Sequence, residues 1–202
     1  MHQKPTEQNP PKTFRAVVFG KTGSGKSFLV KNRIIPALER FIIYDPQDEY
    51  DGQAQGADNI REAHKIFTSF GQVRIVSEYD EYFPVICQFA WEIENVCFIV
   101  DELDIFCNAM SSPTELKRII RQGRKRGISF IGISRRHTEI PKDITSQASN
   151  IITFRQHEPR DLKYLVEITG INPDEISGLP DYEFINYDFS LGKTLKNTVK
   201  FP

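Results

Sequence analysis

"GKTGSGKS", Gly20 to Ser27, stands between an apolar run, "FRAVVFG" from Phe14 to Gly20, and a helical pattern from Lys26 to Leu38. The octet fits G-x-x-x-x-G-K-[ST], and a strand before it with a helix after it is the context the pattern requires. Its glycines let the backbone curl so that N–H groups converge on a phosphate at the positive end of the helix dipole. On this reading Gly20, Lys21, Thr22, Gly23, Ser24, Gly25, Lys26, Ser27 and Phe28 form a nucleotide cradle. Lys26 reaches the β- and γ-phosphates and the Ser27 hydroxyl ligates Mg²⁺. A glycine-rich turn that only opens a helix is the plainer alternative, and the flanking strand and helix weigh against it.

Outward from the loop, the chain alternates strand and helix patterns. "FIIYD" is a second strand ending at Asp45, Asn59 to Phe67 a helix, "QVRIVS" a third strand, and Tyr82 to Glu94 a helix. "VCFIVD", Val96 to Asp101, is a fourth strand. Ser112-Pro113-Thr114-Glu115 reads as a capping box with proline at the first helical position. "ISFIGIS" and "IITFR" are further strands, Pro159 to Thr169 is a helix stopped by Gly170, and "YEFINYDF" with "TLKNTVKF" closes the chain as a hairpin. Continuously apolar strands alternating with helices predict an α/β fold. Its sheet is mostly parallel, with helices on both faces and an antiparallel C-terminal hairpin at one edge. Residues 1–13, polar and proline-rich, read as a flexible arm, and 14–202 as one domain.

With 202 residues, 39% hydrophobic, the chain can bury a substantial core. No apolar stretch approaches the roughly 20 residues of a membrane span, and the N-terminus has no signal-peptide core. Cys87, Cys97 and Cys107 lie in apolar or helical contexts without CxxC pairing, so buried thiols are expected, in keeping with a reducing cytosol.

Asp101 ends the fourth apolar strand and Glu102 follows at once. An Asp at the tip of a neighbouring strand can hold the Mg²⁺ water shell, and a Glu beside it can orient or deprotonate a water for attack on the γ-phosphate. Because "QVRIVS" intervenes between loop and acids, the layout suits a P-loop ATPase with an added central strand (the ASCE type) and a catalytic Glu. Two plain surface acids are the alternative.

Together, "GKTGSGKS", "IIYDPQDEY", "FIVDE" and "GRKRGISFIGISRR" resemble the HerA/FtsK superfamily of DNA-pumping ATPases. The small size looks most like the genome-packaging ATPases of membrane-containing icosahedral viruses. The resemblance spans Phe14 to about Phe189. It implies a RecA-like core with parallel strand order 5-1-4-3-2, ATP as nucleotide, and a homo-oligomeric ring, usually a hexamer, with active sites at subunit boundaries. Double-stranded DNA is the implied partner, capsid-vertex or membrane proteins possible others, and host cytoplasm or a virion packaging vertex the location. Where the family usually reads Thr-Gln-Arg after the fifth strand, this chain has Ser134-Arg135-Arg136, which sets Arg135 at a γ-phosphate sensor position.

"KRIIRQGRKR", Lys117 to Arg126, carries six basic residues and no acid in a chain of formal net charge -1. Leu116, Ile119 and Ile120 share one helical face and Lys117, Arg121 and Arg124/Lys125 another. By family position Arg124 is the first choice for an arginine finger entering a neighbour's site, with Arg121 and Arg126 behind it. Contact with DNA phosphates and a solvated surface are the alternatives. Asp45, Asp48 and Glu49 are expected beside the phosphate site, ordering water or a neighbour's Arg, or merely making a turn. His137 is expected at the surface, Trp91 in the core or a subunit contact, and Asn150 either at nucleotide or capping a strand. The leading function is an ATP-driven duplex-DNA translocase. A small-molecule or nucleotide kinase and a slow ATP-dependent assembly switch are the competitors.

Overall fold

Strands without polar alternation need cover on both faces, and in this chain each face receives it. The computed structural model describes residues 13–77 and 80–199, so the expected N-terminal arm lies outside the described residues except for Thr13. The strands are β1 (Arg15–Phe19), β2 (Phe41–Tyr44), β3 (Gly56–Ala57), β4 (Gln72–Ile75), β5 (Cys97–Val100), β6 (Ser129–Ser134), β7 (Asn150–Phe154), β8 (Glu183–Asp188) and β9 (Lys193–Thr198). They form one sheet in the order β3-β4-β2-β5-β6-β1-β7-β8-β9. Pairing is parallel from β3 to β7 and antiparallel through β8 and β9.

Alternate residues feed two cores. Val17, Phe19, Ile42, Tyr44, Phe98 and Phe130 enter one, and Val18, Phe41, Ile43, Ile99, Ile131 and Ile133 the other. Of the helices, α1 (Lys26–Leu29) covers the second face through Leu29 and the following Val30 and Ile35. The first face is covered by α2 (Ile60–Phe70), α3 (Phe83–Ile93), α4 (Leu103–Phe106), α5 (Thr114–Gln122), α6 (Lys142–Ser146), α7 (Pro159–Thr169) and α8 (Pro173–Ser177). The α5 face predicted from spacing is the one that packs: Leu116, Ile119 and Ile120 are buried. Trp91 of α3 is core as expected, with the guanidinium of Arg118 3.9 Å and that of Arg126 4.6 Å from its ring centre. Cys87, Cys97 and Cys107 are free and buried. Among the described residues no helix is long and apolar enough to cross a membrane.

Three expectations are corrected. The implied order 5-1-4-3-2 is present as β7-β1-β6-β5-β2, but the added central strand is β6 and not "QVRIVS", whose β4 lies outside β2 toward the edge. The helix expected over Lys26 to Leu38 changes character, from α1 to a π-helical turn at Val30–Ile34 and a 3₁₀ turn at Ile35–Ala37. Pro36 lacks the N–H an α-helix needs there, and its ring crowds the preceding turn. The capping box at Ser112 is absent: helix α5 starts at Thr114, Pro113 is its N-cap, and no side chain caps it. A side-chain cap that the sequence reading passed over opens α2. Asn59 accepts the Glu62 N–H at 3.0 Å, while Glu62 accepts the Asp58 N–H at 3.2 Å. The helix Pro159–Thr169 has the expected bounds, and Gly170 closes it at φ 70 with its N–H donated to Val166 O.

Candidate functional site

The loop after β1 closes on itself before α1 begins. The Ser24 N–H donates to Lys21 O at 3.2 Å. Gly25, at φ 105, is the residue from which the helix starts, a conformation that disfavours any Cβ. A Cβ on Gly20 would lie 2.5 Å from Ser24 Oγ and 2.8 Å from Phe154 Cβ, so only glycine fits there. The Lys26 ammonium is folded back over the loop, donating to Gly20 O at 2.7 Å and Lys21 O at 3.1 Å. Burial lowers its pKa, and Asp101, Asp104, Glu102 and Glu49 pull the other way.

Asp101 follows β5 and is buried, with Oδ1 accepting the Glu102 N–H at 2.9 Å. Burial pushes its carboxyl up to about 7; Glu49 and Asp45 add to the rise, and the Glu102 N–H and Lys26 oppose it. Glu102 is the N-cap of α4 at φ 45, ψ 48. A left-handed non-glycine residue is strained by about 1–3 kcal/mol, and such strain gathers at functional sites. Loop and acids face each other across a cleft of about 240 Å³. Thr22, Gly23, Gly25, Lys26, Ser27 and Phe28 line it from the loop and Asp101, Glu102 and Arg135 from beyond β5 and β6, with Glu49, Ile133, Ser134 and Tyr182 completing it. Of the remaining loop residues, Gly20 and Ser24 are buried and Lys21 is exposed, and none of the three lines the cleft.

Glu49 reaches the cleft although β5 and β6 separate β2 from β1. Asp45 and Asp48 do not line it. Asp45 accepts the N–H groups of Glu49 (2.9 Å) and Tyr50 (2.8 Å), and Arg74 is paired with Asp45, Asp48 and Asp51. That cation in a buried strand was the signal the sequence reading missed: an Arg inside "QVRI" needs acids around it. Tyr182 was missed too, and nothing local marks it; it reaches the loop from the turn before β8.

Arg124 is not in the cleft. It is exposed, in the 3₁₀ turn Gly123–Arg126 that precedes β6, and beside Arg15, whose pKa is lowered by burial and then by Arg124. The six residues of β6 separate it from Arg135, about 17 Å of strand. Arg121 pairs with Asp143, and Arg126 with Glu94. Asn150 begins β7 at the same far edge and donates to Asn186 Oδ1 at 3.2 Å, so it touches strand β8 and not the cleft.

His137, expected at the surface, is 1% exposed. Its ring centre lies 3.6 Å from that of Phe19, and neither ring nitrogen has a hydrogen-bond partner. Burial drives its pKa from 6.5 down to about 3, against the pull of Asp161. The folded chain therefore holds it neutral, and between those values the unfolded chain binds one proton more. Stability consequently falls as pH drops through that window, by up to about 1.4 kcal/mol per pH unit. Comparing denaturant unfolding of the wild type with His137→Phe at several pH values checks this: the difference between them should shift toward the variant as pH falls below 6.5. A difference independent of pH would mean that His137 titrates normally.

No family model matches the chain. It is 27% identical over 142 residues to the DNA double-strand break repair helicase HerA of Sulfolobus acidocaldarius, covering 68% of this chain and 26% of that protein. Against Protein P9 of Pseudoalteromonas phage PM2 it is 26% identical over 142 residues, covering 66% of this chain and 64% of P9. The chain thus spans only 13% to 26% of the length of the HerA relatives it matches. The genome packaging NTPase B204 from Sulfolobus turreted icosahedral virus 2, in complex with sulfate, superposes at a TM-score of 0.83 with 21% identity, over 96% of this chain and 99% of that one. The chain has the fold of a P-loop packaging ATPase. Structures of B204 with AMP, AMPPCP and ATP-gammaS match comparably. In the packaging-ATPase fold the parallel strands end where the cleft lies, so β1, β5 and β6 deliver Lys26, Asp101 and Arg135 to one place.

Proposed function

We propose that the chain is an ATPase whose hydrolysis drives double-stranded DNA, a viral genome, into a preformed capsid. The observation that carries the reading is the meeting of Lys26, Ser27, Asp101 and Glu102 on one cleft behind a glycine loop shaped for phosphate. The HerA and B204 likenesses support the packaging part.

ATP enters with its phosphates over the loop, and Lys26 exchanges Gly20 O and Lys21 O for phosphate oxygens. The Ser27 hydroxyl and the Asp101 carboxylate both line the cleft, and as oxygen donors they suit a hard divalent cation and would hold it. Mg²⁺ held by these two residues would supply neutralisation of the phosphate charge. Glu102 then orients a water and takes its proton as the oxygen attacks the γ-phosphorus, and the bond to the ADP oxygen breaks. Arg135 meets the γ-phosphate from the other wall. Arg124, too far to serve its own cleft, acts in that of a neighbouring subunit in a ring, with a hexamer as the expected size. Lys125 and the remaining exposed cations offer phosphate contacts to DNA. Capsid-vertex or membrane proteins complete the assembly, placing the protein at a packaging vertex or in host cytoplasm.

Phosphate release measured with and without duplex DNA tests the reading, with small-molecule acceptors as a control. DNA should raise the rate several-fold, and the gain should shrink as salt rises. Phosphorylation of an acceptor in place of hydrolysis would make the chain a kinase. Slow release indifferent to DNA would make it an assembly switch.

A further inference from the structure

We propose that Asp104 is a holding site for Arg135, so that the guanidinium reports whether a γ-phosphate is present and passes that state to Glu102. The inference rests on the nucleotide reading above. Asp104 lies in the first turn of α4, and its side chain is 1% exposed. Its carboxylate accepts from Arg135 Nε at 2.9 Å and from a terminal guanidinium nitrogen at 2.8 Å, and more distantly from the Arg135 N–H at 3.4 Å. The Arg135 side chain is half exposed and lines the same cleft as Lys26 and Ser27. One cation thus faces two anion positions, the buried carboxylate behind it and the phosphate position before it.

A guanidinium satisfies carboxylate or phosphate through the same fork of donors, so the two positions compete for it. ADP leaves the cleft without a third phosphate, and Arg135 stays on Asp104. ATP brings a more highly charged acceptor and draws the guanidinium forward. Asp104 then remains as a buried acid beside Glu139 without its cation, a state that is strongly disfavoured. Helix α4 is a single turn whose N-cap is Glu102, so relief of that state moves the residue that handles the water. Glutamine, which the resemblance places at this position, makes no ion pair with Asp104. Asp104 is a positioning residue in this scheme and touches no reacting atom.

Equilibrium binding of ATP-gammaS and ADP, each with Mg²⁺, to the full chain and to Arg135→Gln, Asp104→Asn and the double variant tests it. Arg135→Gln should weaken ATP-gammaS by about 10–100-fold, the range of one charge-assisted hydrogen-bonded contact, and leave ADP unchanged. Asp104→Asn should tighten ATP-gammaS relative to ADP, and that gain should vanish in the Arg135→Gln background. A gain that persists there, or an equal change for both nucleotides, overturns the proposal. Hydrogen exchange on the unaltered protein needs no variant: ATP-gammaS should change exchange at the Leu103–Phe106 amides and ADP should not. Equal responses overturn the proposal, whereas binding of neither nucleotide overturns the nucleotide reading with it.

Discussion

Glu102→Gln should bind ATP as the wild type does and hydrolyse it about 10²–10⁴-fold more slowly, the usual cost of losing a general base. The amide keeps the size of the side chain and cannot accept the water's proton. Folding should be untouched. Glu102 is partly exposed, its backbone N–H bond to Asp101 does not involve its side chain, and glutamine meets the same left-handed strain as glutamate. Lys26, Ser27 and Asp101, to which the proposal gives the phosphates and the metal, are unchanged, so the nucleotide dissociation constant separates this residue from the proposed binding set. Phosphate release in a single turnover, with ATP affinity measured alongside, decides it. Undiminished hydrolysis would remove Glu102 from the chemistry and leave it as a helix cap.

Arg124→Ala subunits should lose about 10³–10⁵ in rate, or roughly 4–7 kcal/mol of transition-state stabilisation, if the guanidinium serves as an arginine finger. The far position of Arg124 sharpens this expectation. With the length of β6 between it and Arg135, it cannot reach the cleft of its own chain. Mixing Arg124→Ala subunits with Lys26→Ala subunits should therefore restore activity, each partner supplying what the other lacks. In an equal mixture about a quarter of head-to-tail boundaries would join an intact cleft to an intact Arg124. Phosphate release against mixing ratio reads the effect. Failure of the mixture to recover activity would assign Arg124 to DNA phosphates or to solvent.

The parts of this molecule that are legible in sequence are those governed by near neighbours. The phosphate loop is readable because glycine, lysine and serine act within eight consecutive residues. The parallel sheet is readable because strands buried on both faces are apolar throughout, and the end of α7 because Gly170 alone supplies the left-handed stop. What escapes reading is set by distant chain. His137 follows two arginines and looks like surface, yet Phe19 and Tyr164, from other elements, enclose it. Asp45 looks like a site acid and is instead occupied by Arg74, 29 positions away. Asp104 sits in plain view three residues after Asp101, but only the fold brings Arg135 onto it. Local pattern thus identifies which groups can do chemistry, and long-range pairing decides which of them are already spoken for.

The indole between Arg118 and Arg126 belongs to the chain's single tryptophan. Its emission therefore depends on where two members of the basic segment rest. A polyanion that draws either arginine off the ring would change the surroundings of the indole. The molecule carries a built-in optical gauge of its most cationic surface, legible without any attached dye.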